Sequence, residues 1–492
     1  SYYFIFNNIS IIHMKSLFKN ISIYSIGDLL HKSIQFLLLP LYTNVLSPGD
    51  YGELELVYII GSILVIVNGL LIQNAYSRFY FDSDNLEIRK KIFGTCIIFI
   101  LFTSIIGLIV CFNLASQLSH FVFGDFNKMI YIKLICVSTI IGSICSLFSK
   151  NIIIRKKSIR FVTINIIDTI ITLSVTIYFV LVAKTGVVGI LQAQIIGRMT
   201  RLLMLFISTY SEIGFAFSIS ILNKMIYFSI FMIPSEVSSL IAYMSNRIFI
   251  KDYADLTQVG IFSLGYKIAS ITPILITGPV RRAFKPHIFS LIDNEKKLKR
   301  EFSNFVRIYG IVVISFIFLL SIFAKEIIVL MADESYLTSY KIVFPLSIGY
   351  IFIGLSGLIN TGLAVKKKTW VFGLAWIVCA IINLILNYIL VPLYGIMGAS
   401  IATIVSFLSV LIIYSYYLEK IYPISIAYIK LLYLLIVVII LYYISNLYFV
   451  NNILLTIFFK LFLVSLYGLF IFKANFLKIN EKQYIINKIK GV

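Results

Sequence analysis

The chain has 492 residues, of which 60% are hydrophobic and 13% are charged, whereas soluble chains are about 45–50% apolar and about 25% charged. This composition excludes a water-soluble protein. The formal net charge of +21, from 42 Lys and Arg residues against 21 Asp and Glu residues, could indicate a nucleic-acid surface. It is spread over many short segments, however, so we expect no nucleic-acid partner.

Metal-binding and nucleotide-hydrolysing motifs are missing from the sequence. The five cysteines and four histidines are scattered without CxxC or HExxH spacing, so no metal site and no disulfide framework is indicated. GxSxG and GxxxxGK[ST] are also missing, which argues against a hydrolase or a P-loop ATPase. We expect no cofactor and no enzymatic activity.

Apolar segments of about 20 residues, the length that crosses a bilayer, follow one another along the whole chain. They predict an all-α polytopic membrane protein with about 14 transmembrane helices. The segments are 20–41, 54–75, 92–114, 130–149, 161–183, 186–208, 224–246, 259–280, 303–323, 340–363, 370–391, 396–417, 425–447 and 453–473.

Most Lys and Arg residues lie in the N-terminal tail, in every second connection and in the C-terminal tail. Because short cytoplasmic loops carry the excess of basic residues, this distribution predicts that both termini are cytoplasmic and that the number of spans is even. The resulting organisation is a tail (1–19), a first lobe (20–208), a linker (209–223), a second lobe (224–417), two further helices (418–473) and a tail (474–492). Met14 resembles a natural start, so we expect 1–13 to be an upstream extension.

An internal repeat relates the two lobes. Tyr51–Tyr58 (YGELELVY) aligns with Val259–Tyr266 (VGIFSLGY) at a shift of 208 residues, and GVVGILQA from Gly186 aligns with GIMGASIA from Gly395 at a shift of 209. The matching places fall at the same point of the helix count in each half. Two parallel six-helix repeats are therefore predicted, followed by two more helices, with a substrate site between the halves.

Ionisable residues inside spans are costly and are functional candidates by default. In the first span, a polar face is predicted because four residues follow helical spacing; they are Asp28, His31, Lys32 and Gln35. The seventh span carries a similar row behind Pro234, which consists of Glu236, Ser239, Tyr243, Asn246 and Arg247. The shift of 208 superposes Asp28 on Glu236, so the two faces are expected to line one water-filled cavity.

Alternatives to cavity lining remain open for these residues. Asp28 and Lys32 could neutralise each other at i, i+4, and polar rows also join helices to one another. Arg247 could extend to the outer membrane interface. Two further candidate cavity cations are Lys267, half-way along the eighth span, and Arg78, just beyond the second.

Two segments resemble a known group of transporters. LPLYTNVLSPGDYGELELV (39–57), LVPLYGIMGASIAT (390–403) and the plan of two six-helix repeats plus two helices look like the polysaccharide or O-antigen flippases (Wzx type) of the multidrug/oligosaccharidyl-lipid/polysaccharide (MOP) exporter superfamily. The resemblance covers the chain from about Met14 to its end. It differs from the arginine-rich cavity of lipid II flippases, since the first span has one lysine and no arginine.

The resemblance implies a flippase of the bacterial inner membrane. Such a protein moves an undecaprenyl diphosphate-linked oligosaccharide, an O-antigen or capsular repeat unit, to the periplasmic leaflet by alternating access. On this sequence, it implies diphosphate-binding cations (Lys32, Arg78, Arg247 and Lys267) and acids that couple transport to H+ or Na+ (Asp28 and Glu236). A polysaccharide polymerase and a chain-length regulator are expected partners beside the lipid-linked substrate and the bilayer.

Two other functions fit parts of the pattern. A multidrug exporter or another secondary transporter of the same superfamily is one alternative, although such exporters usually have twelve spans. A membrane polysaccharide polymerase is the alternative from another class. It would carry a large periplasmic loop, whereas the longest connections here are assigned to the cytoplasm.

Overall fold

The computed structural model describes residues 36, 38–155, 157–210, 213–447, 453–474 and 476. Within these ranges, every regular element is a helix. The helices are α1 (Leu39–Val45), α2 (Pro48–Val67), α3 (Ile72–Phe79), α4 (Leu86–Asn113), α5 (Ala115–Phe123), α6 (Met129–Ile154), α7 (Ser158–Ile177), α8 (Gly186–Thr209), α9 (Ile219–Ile230), α10 (Ile233–Tyr253), α11 (Leu256–Ala269), α12 (Gly278–Phe289), α13 (Glu295–Ile322), α14 (Ala324–Met331), α15 (Tyr340–Val365), α16 (Trp370–Ile421), α17 (Tyr428–Leu447) and α18 (Ile453–Lys473).

The predicted spans correspond to these helices. Ten helical stretches of the described residues are long and apolar enough to cross a membrane, and two bent pairs, α2 with α3 and α9 with α10, raise the number to as many as twelve. One stretch, α16, has 52 residues and contains non-helical backbone at Gly395, so it consists of two helices joined by a kink. It contains the predicted spans 370–391 and 396–417. The all-α polytopic fold class is thus confirmed, and most of the predicted first span lies outside the described residues.

Local sequence signals explain where several helices begin. The Ser47 hydroxyl accepts a hydrogen bond from the amide N–H of Asp50, and Pro48 occupies the first helical position of α2. Asn85 and Asn294 cap α4 and α13 in the same manner. Such side chains satisfy amide groups that lack a partner in the first turn.

Two equivalent glycines of the repeat both have positive φ. Gly186 has φ +57° at the start of α8, and Gly395 has φ +54° at the kink inside α16. Positive φ is strained for residues with a Cβ atom. The next glycine of each segment is tightly packed: a Cβ on Gly189 would lie 2.0 Å from the Thr185 hydroxyl, and one on Gly398 would lie 2.2 Å from the Leu390 carbonyl oxygen. Both segments therefore require glycine at two equivalent positions, although the neighbouring atoms differ.

The chain folds into two compact units. The first consists of Ser1–Leu264, Met331–Tyr336 and Phe372–Ala402, and the second of Gly265–Leu330, Leu337–Val371 and Thr403–Val492. The first unit thus includes α9, α10 and the beginning of α11, which belong to the second repeat in sequence. The lobe boundaries at 208 and 224 stay a prediction about the repeats, since contact units and repeats are different divisions of the chain.

Within the second unit, an ion pair joins α18, the last described helix, to α14. Lys460 of α18 is buried at 6% exposure and donates to a Glu326 carboxylate oxygen of α14 at 2.5 Å. A charged side chain inside an apolar helix is costly unless it is paired. This contact accounts for the lysine in the middle of an otherwise apolar span.

Candidate functional site

The first turns of α2 and α11 cross in direct backbone contact. A Cβ on Gly52 would lie 2.1 Å from the Leu256 carbonyl oxygen, and a Cβ on Gly260 would lie 1.9 Å from the Pro48 carbonyl oxygen. The residues of these two contacts are related by 208 positions, which is the shift of the internal repeat. The contact is therefore reciprocal, as in an interface with two-fold symmetry. Only glycine permits such a close approach of two helices.

A buried ion pair lies next to this crossing. Glu55 of α2 and Arg247 of α10 are each 5% exposed, and the Arg247 Nε lies 3.3 Å from a Glu55 carboxylate oxygen. Arg247 Nε also donates to the Ser263 hydroxyl of α11 at 2.9 Å, and its Nη1 donates to the Tyr243 carbonyl oxygen at 3.2 Å. Buried charges persist only when they are paired and hydrogen-bonded. We call Gly52, Glu55, Arg247, Gly260 and Ser263 the outer contact.

A second acid on α2 is paired separately. Glu53 is 6% exposed and forms an ion pair with Lys128, just before α6. The Lys128 side chain is 25% exposed, so this pair is nearer to the surface than the pair of Glu55 and Arg247. Two carboxylates in the first turns of α2 thus bind one cation from each half of the sequence.

Amide side chains link α10 to α16 on the side of Arg247. The Asn387 amide donates to the Asn246 side-chain oxygen at 2.7 Å, and the Ser245 hydroxyl donates to the Asn383 side-chain oxygen at 2.6 Å. All four residues are buried. Polar contacts of this kind hold apolar helices together, so the end of α10 that carries Arg247 is fixed on two sides.

The structure brings together only part of the predicted row on α10. Asn246 and Arg247 lie at its contacts with α16, α2 and α11, and the Tyr243 ring lies 5.6 Å from the Trp376 ring of α16, centre to centre. Glu236 lies in the first turn and is exposed, and the Ser239 hydroxyl donates to the Glu236 carbonyl oxygen at 2.9 Å. Eleven residues separate Glu236 from Arg247, roughly 16 Å along a helix. These two residues are therefore not ion-pair partners.

The remaining predicted cations lie in different surroundings. Lys267 is half-buried near the end of α11, between buried neighbours. Arg78 lies in the last turn of α3, forms an ion pair with Asp82, and has a side chain 60% exposed. Asp28, His31, Lys32 and Gln35 lie outside the described residues, so their predicted role stays a prediction.

Several residues of this site were not found by sequence reasoning. Glu53 directly precedes the predicted second span and Glu55 lies at its start, and neither is among the predicted site residues. Asn383 and Asn387, at i, i+4 in an apolar span, carry the signal of a helix contact. Their spacing was visible in the sequence, but the identity of their partners was not.

A polar cluster lies among three helices of the first unit. The side chains of Asp168 and Arg201 form an ion pair at 3.5 Å, and Arg198 Nη1 donates to the Ser138 carbonyl oxygen at 2.5 Å. The Arg201 side chain also reaches the Ser149 hydroxyl at 3.3 Å. The cluster joins α6, α7 and α8 within one repeat.

Comparison with known proteins identifies the family. The family described as "Polysaccharide biosynthesis protein" matches residues 43–341, which include α2, α10, α11 and the outer contact. The chain belongs to this polysaccharide biosynthesis family. The resemblance to a polysaccharide biosynthesis family predicted from the sequence is therefore confirmed, and the chain is a multi-pass membrane protein.

A curated relative and two solved structures extend this result. The "Probable low-salt glycan biosynthesis flippase Agl15" of Haloferax volcanii is 27% identical over 185 residues, which are 35% of this chain and 37% of that relative. The chain thus spans little more than a third of that relative. "Lipid II flippase MurJ, inward closed conformation" has a TM-score of 0.71 at 14% identity and covers 95% of this chain and 100% of its own.

A multidrug resistance MATE family transporter of the MOP superfamily, in an inward-facing conformation, has a TM-score of 0.67 at 14% identity. The match covers 80% of this chain and 97% of that transporter. At this identity, both structural likenesses establish the fold alone. The shared fold extends over exporters of different substrates, so the substrate must be argued from the chain itself.

Proposed function

We propose that this protein is a flippase that moves an undecaprenyl diphosphate-linked oligosaccharide across the bacterial inner membrane. The movement runs from the cytoplasmic to the periplasmic leaflet, and both termini lie in the cytoplasm. The family match supports a role in polysaccharide biosynthesis, and the repeats support a transporter. The protein performs no bond-making chemistry in this proposal.

The reciprocal crossing of α2 and α11 is the observation that carries the proposal. Repeat-related helices that meet at one end of the membrane can separate there while their other ends approach each other. Such exchange between two packings is the basis of alternating access in transporters built from repeats. The distribution of basic residues predicts that the crossing lies at the periplasmic end, and we propose that this contact is made when the transporter is closed toward the periplasm.

In this proposal, Arg247 is available to the substrate in only one of the two conformations. In the described state, its charge is neutralised by Glu55. Opening the outer contact would expose Arg247 to the cavity, where a diphosphate could replace the carboxylate as its partner. Lys267, Arg78 and Lys32 are the other proposed diphosphate-binding cations.

Ion coupling is part of the same proposal. Glu236 lies beside the 43° bend between α9 and α10, and its exposed carboxylate can exchange H+ or Na+ with water. Asp28 is its counterpart under the repeat. Binding of an ion to one conformation better than to the other would bias the exchange between them.

The test compares transport by variants in the native host and in vesicles. In a host that lacks the gene, lipid-linked oligosaccharide should accumulate on the cytoplasmic leaflet and surface polysaccharide should disappear. Lys32→Ala and Lys267→Ala should lower surface polysaccharide, whereas Lys91→Gln should not, because Lys91 is an exposed lysine away from the site. In proteoliposomes, the purified chain should increase the fraction of a polyprenyl diphosphate oligosaccharide that an external lectin binds.

Two outcomes would contradict parts of the proposal. Wild-type polysaccharide in both lysine variants would remove the diphosphate assignment. Wild-type polysaccharide in both Asp28→Asn and Glu236→Gln would remove the coupling assignment and leave the transport assignment in place. A host deletion without accumulated lipid-linked sugar would reject the substrate class. The polymerase and the chain-length regulator are proposed partners, to be tested by co-purification.

A further inference from the structure

A membrane-facing groove lies between the beginning of α7 and the end of α8, away from the outer contact. Its volume is about 780 Å³. Lys157, Arg160 and Ser208 form its polar part, and Ile164, Met204 and Ile207 form its apolar part. All of these residues belong to the first compact unit, and none of them belongs to the proposed transport site.

The polar part of the groove carries two positive charges, on Lys157 and Arg160. Arg160 Nη1 donates to the Ser208 carbonyl oxygen at 2.6 Å, which holds the guanidinium group at the mouth of the groove. A guanidinium has five N–H donors, so this hydrogen bond leaves others for a ligand. Lys157 directly precedes α7, and no side chain caps the start of this described helix. The start of a helix favours negative charge.

The apolar part continues onto lipid-exposed faces of both helices. Ile207 is 76% exposed and Leu203 is 61% exposed, and they lie one turn apart on α8. Ile159 and Ile170 on α7 are 69% and 55% exposed. In a membrane, such faces contact acyl chains. The groove therefore combines a cationic end with an apolar path that leads away from it along two membrane-spanning helices.

We propose that this groove binds an anionic phospholipid of the surrounding bilayer. Its phosphate lies between Lys157 and Arg160, and its acyl chains lie along Ile207 and Leu203 of α8. Basic pockets between transmembrane helices on the cytoplasmic side are suited to acidic headgroups, and the distribution of basic residues assigns this end of α7 to the cytoplasm. A zwitterionic lipid would bring a positive group to two cations, so charge selects the anionic lipid.

The second half of the sequence lacks one of the two groove cations. KKKT at 366–369 corresponds to RKKS at 155–158, so Lys157 corresponds to Lys368 and Arg160 corresponds to Val371. The pair of Lys157 and Arg160 is therefore specific to the first half.

The experiment measures lipid binding to the full chain by native mass spectrometry. Phosphatidylglycerol and phosphatidylcholine with identical acyl chains are titrated into the purified protein in detergent. Wild type should bind phosphatidylglycerol more tightly. The variant Lys157→Gln/Arg160→Gln should lose about tenfold or more of that affinity with unchanged affinity for phosphatidylcholine, and Arg160→Lys should lose less.

Two further variants keep the result interpretable. Lys91→Gln removes one exposed positive charge from the same predicted side of the membrane and should leave lipid binding unchanged. Met204→Trp fills the groove and keeps both cations, so it should weaken phosphatidylglycerol binding at an unchanged melting temperature. Equal affinity for the two lipids in wild type would overturn the proposal. An equal loss in Lys91→Gln and in the double variant would also overturn it, since binding would then follow net charge rather than this groove.

Discussion

The second and eighth spans are related by the internal repeat but are constructed differently. The second span is broken: α2 ends at Val67, three consecutive residues from Gly69 to Leu71 have positive φ, and α3 continues at an angle of 46°. The eighth span continues from α11 to α12 through a π-helical turn at Pro273–Thr277. Under the shift of 208, Gly69 corresponds to Thr277. The α-helix is therefore interrupted at equivalent places in the two spans, by a break in the second span and by a π-helical turn in the eighth.

Their charges differ as much as their backbones. The first turns of α2 carry Glu53 and Glu55, whereas α11 has Lys267 as its one charged residue. The glycines at the crossing are the same in both. Both repeats have thus kept the glycines of the close backbone contact, which geometry constrains, while their charged residues have become complementary.

The largest effect is expected when the charge complementarity is broken. Glu55→Gln leaves Arg247 without its carboxylate in a buried site, and we expect a loss of about 3–5 kcal/mol of stability. The double variant Glu55→Gln/Arg247→Gln should recover most of this loss. The measurement is a double-mutant cycle on unfolding in detergent. Lys128→Gln serves as the control and should cost less, because Lys128 is partly exposed. Additive effects of the two single variants would show that Glu55 and Arg247 do not interact.

A smaller effect is expected from one methyl group at the crossing. Gly52→Ala or Gly260→Ala forces two backbones apart, and we expect a loss of roughly 1–3 kcal/mol. Gly107→Ala is the matched control, because a Cβ there meets nothing within 4 Å. It should be neutral or stabilise its helix by up to about 1 kcal/mol. Thermal unfolding in detergent measures all three. Equal melting temperatures for Gly52→Ala and Gly107→Ala would mean that α2 and α11 are not in contact.

The break in the second span and the π-helical turn in the eighth span should be sensitive to different substitutions. Gly69→Ala places a Cβ on a residue with φ +93° and should cost about 1–2 kcal/mol. At the equivalent position, Thr277 shares a buried 2.8 Å hydrogen bond with the Tyr309 hydroxyl, so Thr277→Val should cost about 1 kcal/mol. Tyr309→Phe should then add little to Thr277→Val. Unfolding in detergent tests both, and a strong further loss in the double variant would contradict the role given to this hydrogen bond.

The smallest effect on stability is expected at Arg78. This side chain is exposed and paired with Asp82, and surface pairs contribute about 0–1 kcal/mol. Arg78→Gln should therefore melt like wild type but lower the transport rate in proteoliposomes if Arg78 receives the diphosphate. Asp82→Asn removes the same ion pair and keeps the cation, so it should transport normally. Reduced transport in Asp82→Asn alone would assign the pair a structural role.

Much of the fold could be predicted from the sequence because the bilayer imposes it. Apolar runs of about 20 residues must become helices, since no water satisfies their backbone groups. Some helix boundaries differ from the prediction because capping residues set them. The predicted second span begins at 54, whereas α2 begins six residues earlier at Pro48, after the capping residue Ser47. The site could be predicted only in part. Helical spacing placed Asn246 and Arg247 on one helix, but it could not show that Glu55 is the partner of Arg247.

The amino-acid sequence alone predicts the membrane class, the order of the spans and the duplication, because these follow from length, hydropathy and repeated motifs within one chain, and the resemblance of two segments indicates the family. The tertiary structure decided which charges meet. Glu55 and Arg247 are separated by 192 positions along the chain, and both their burial and their pairing follow from the close approach that Gly52 and Gly260 permit. Long-range contacts of this kind depend on how helices pack, and that packing cannot be predicted from hydropathy.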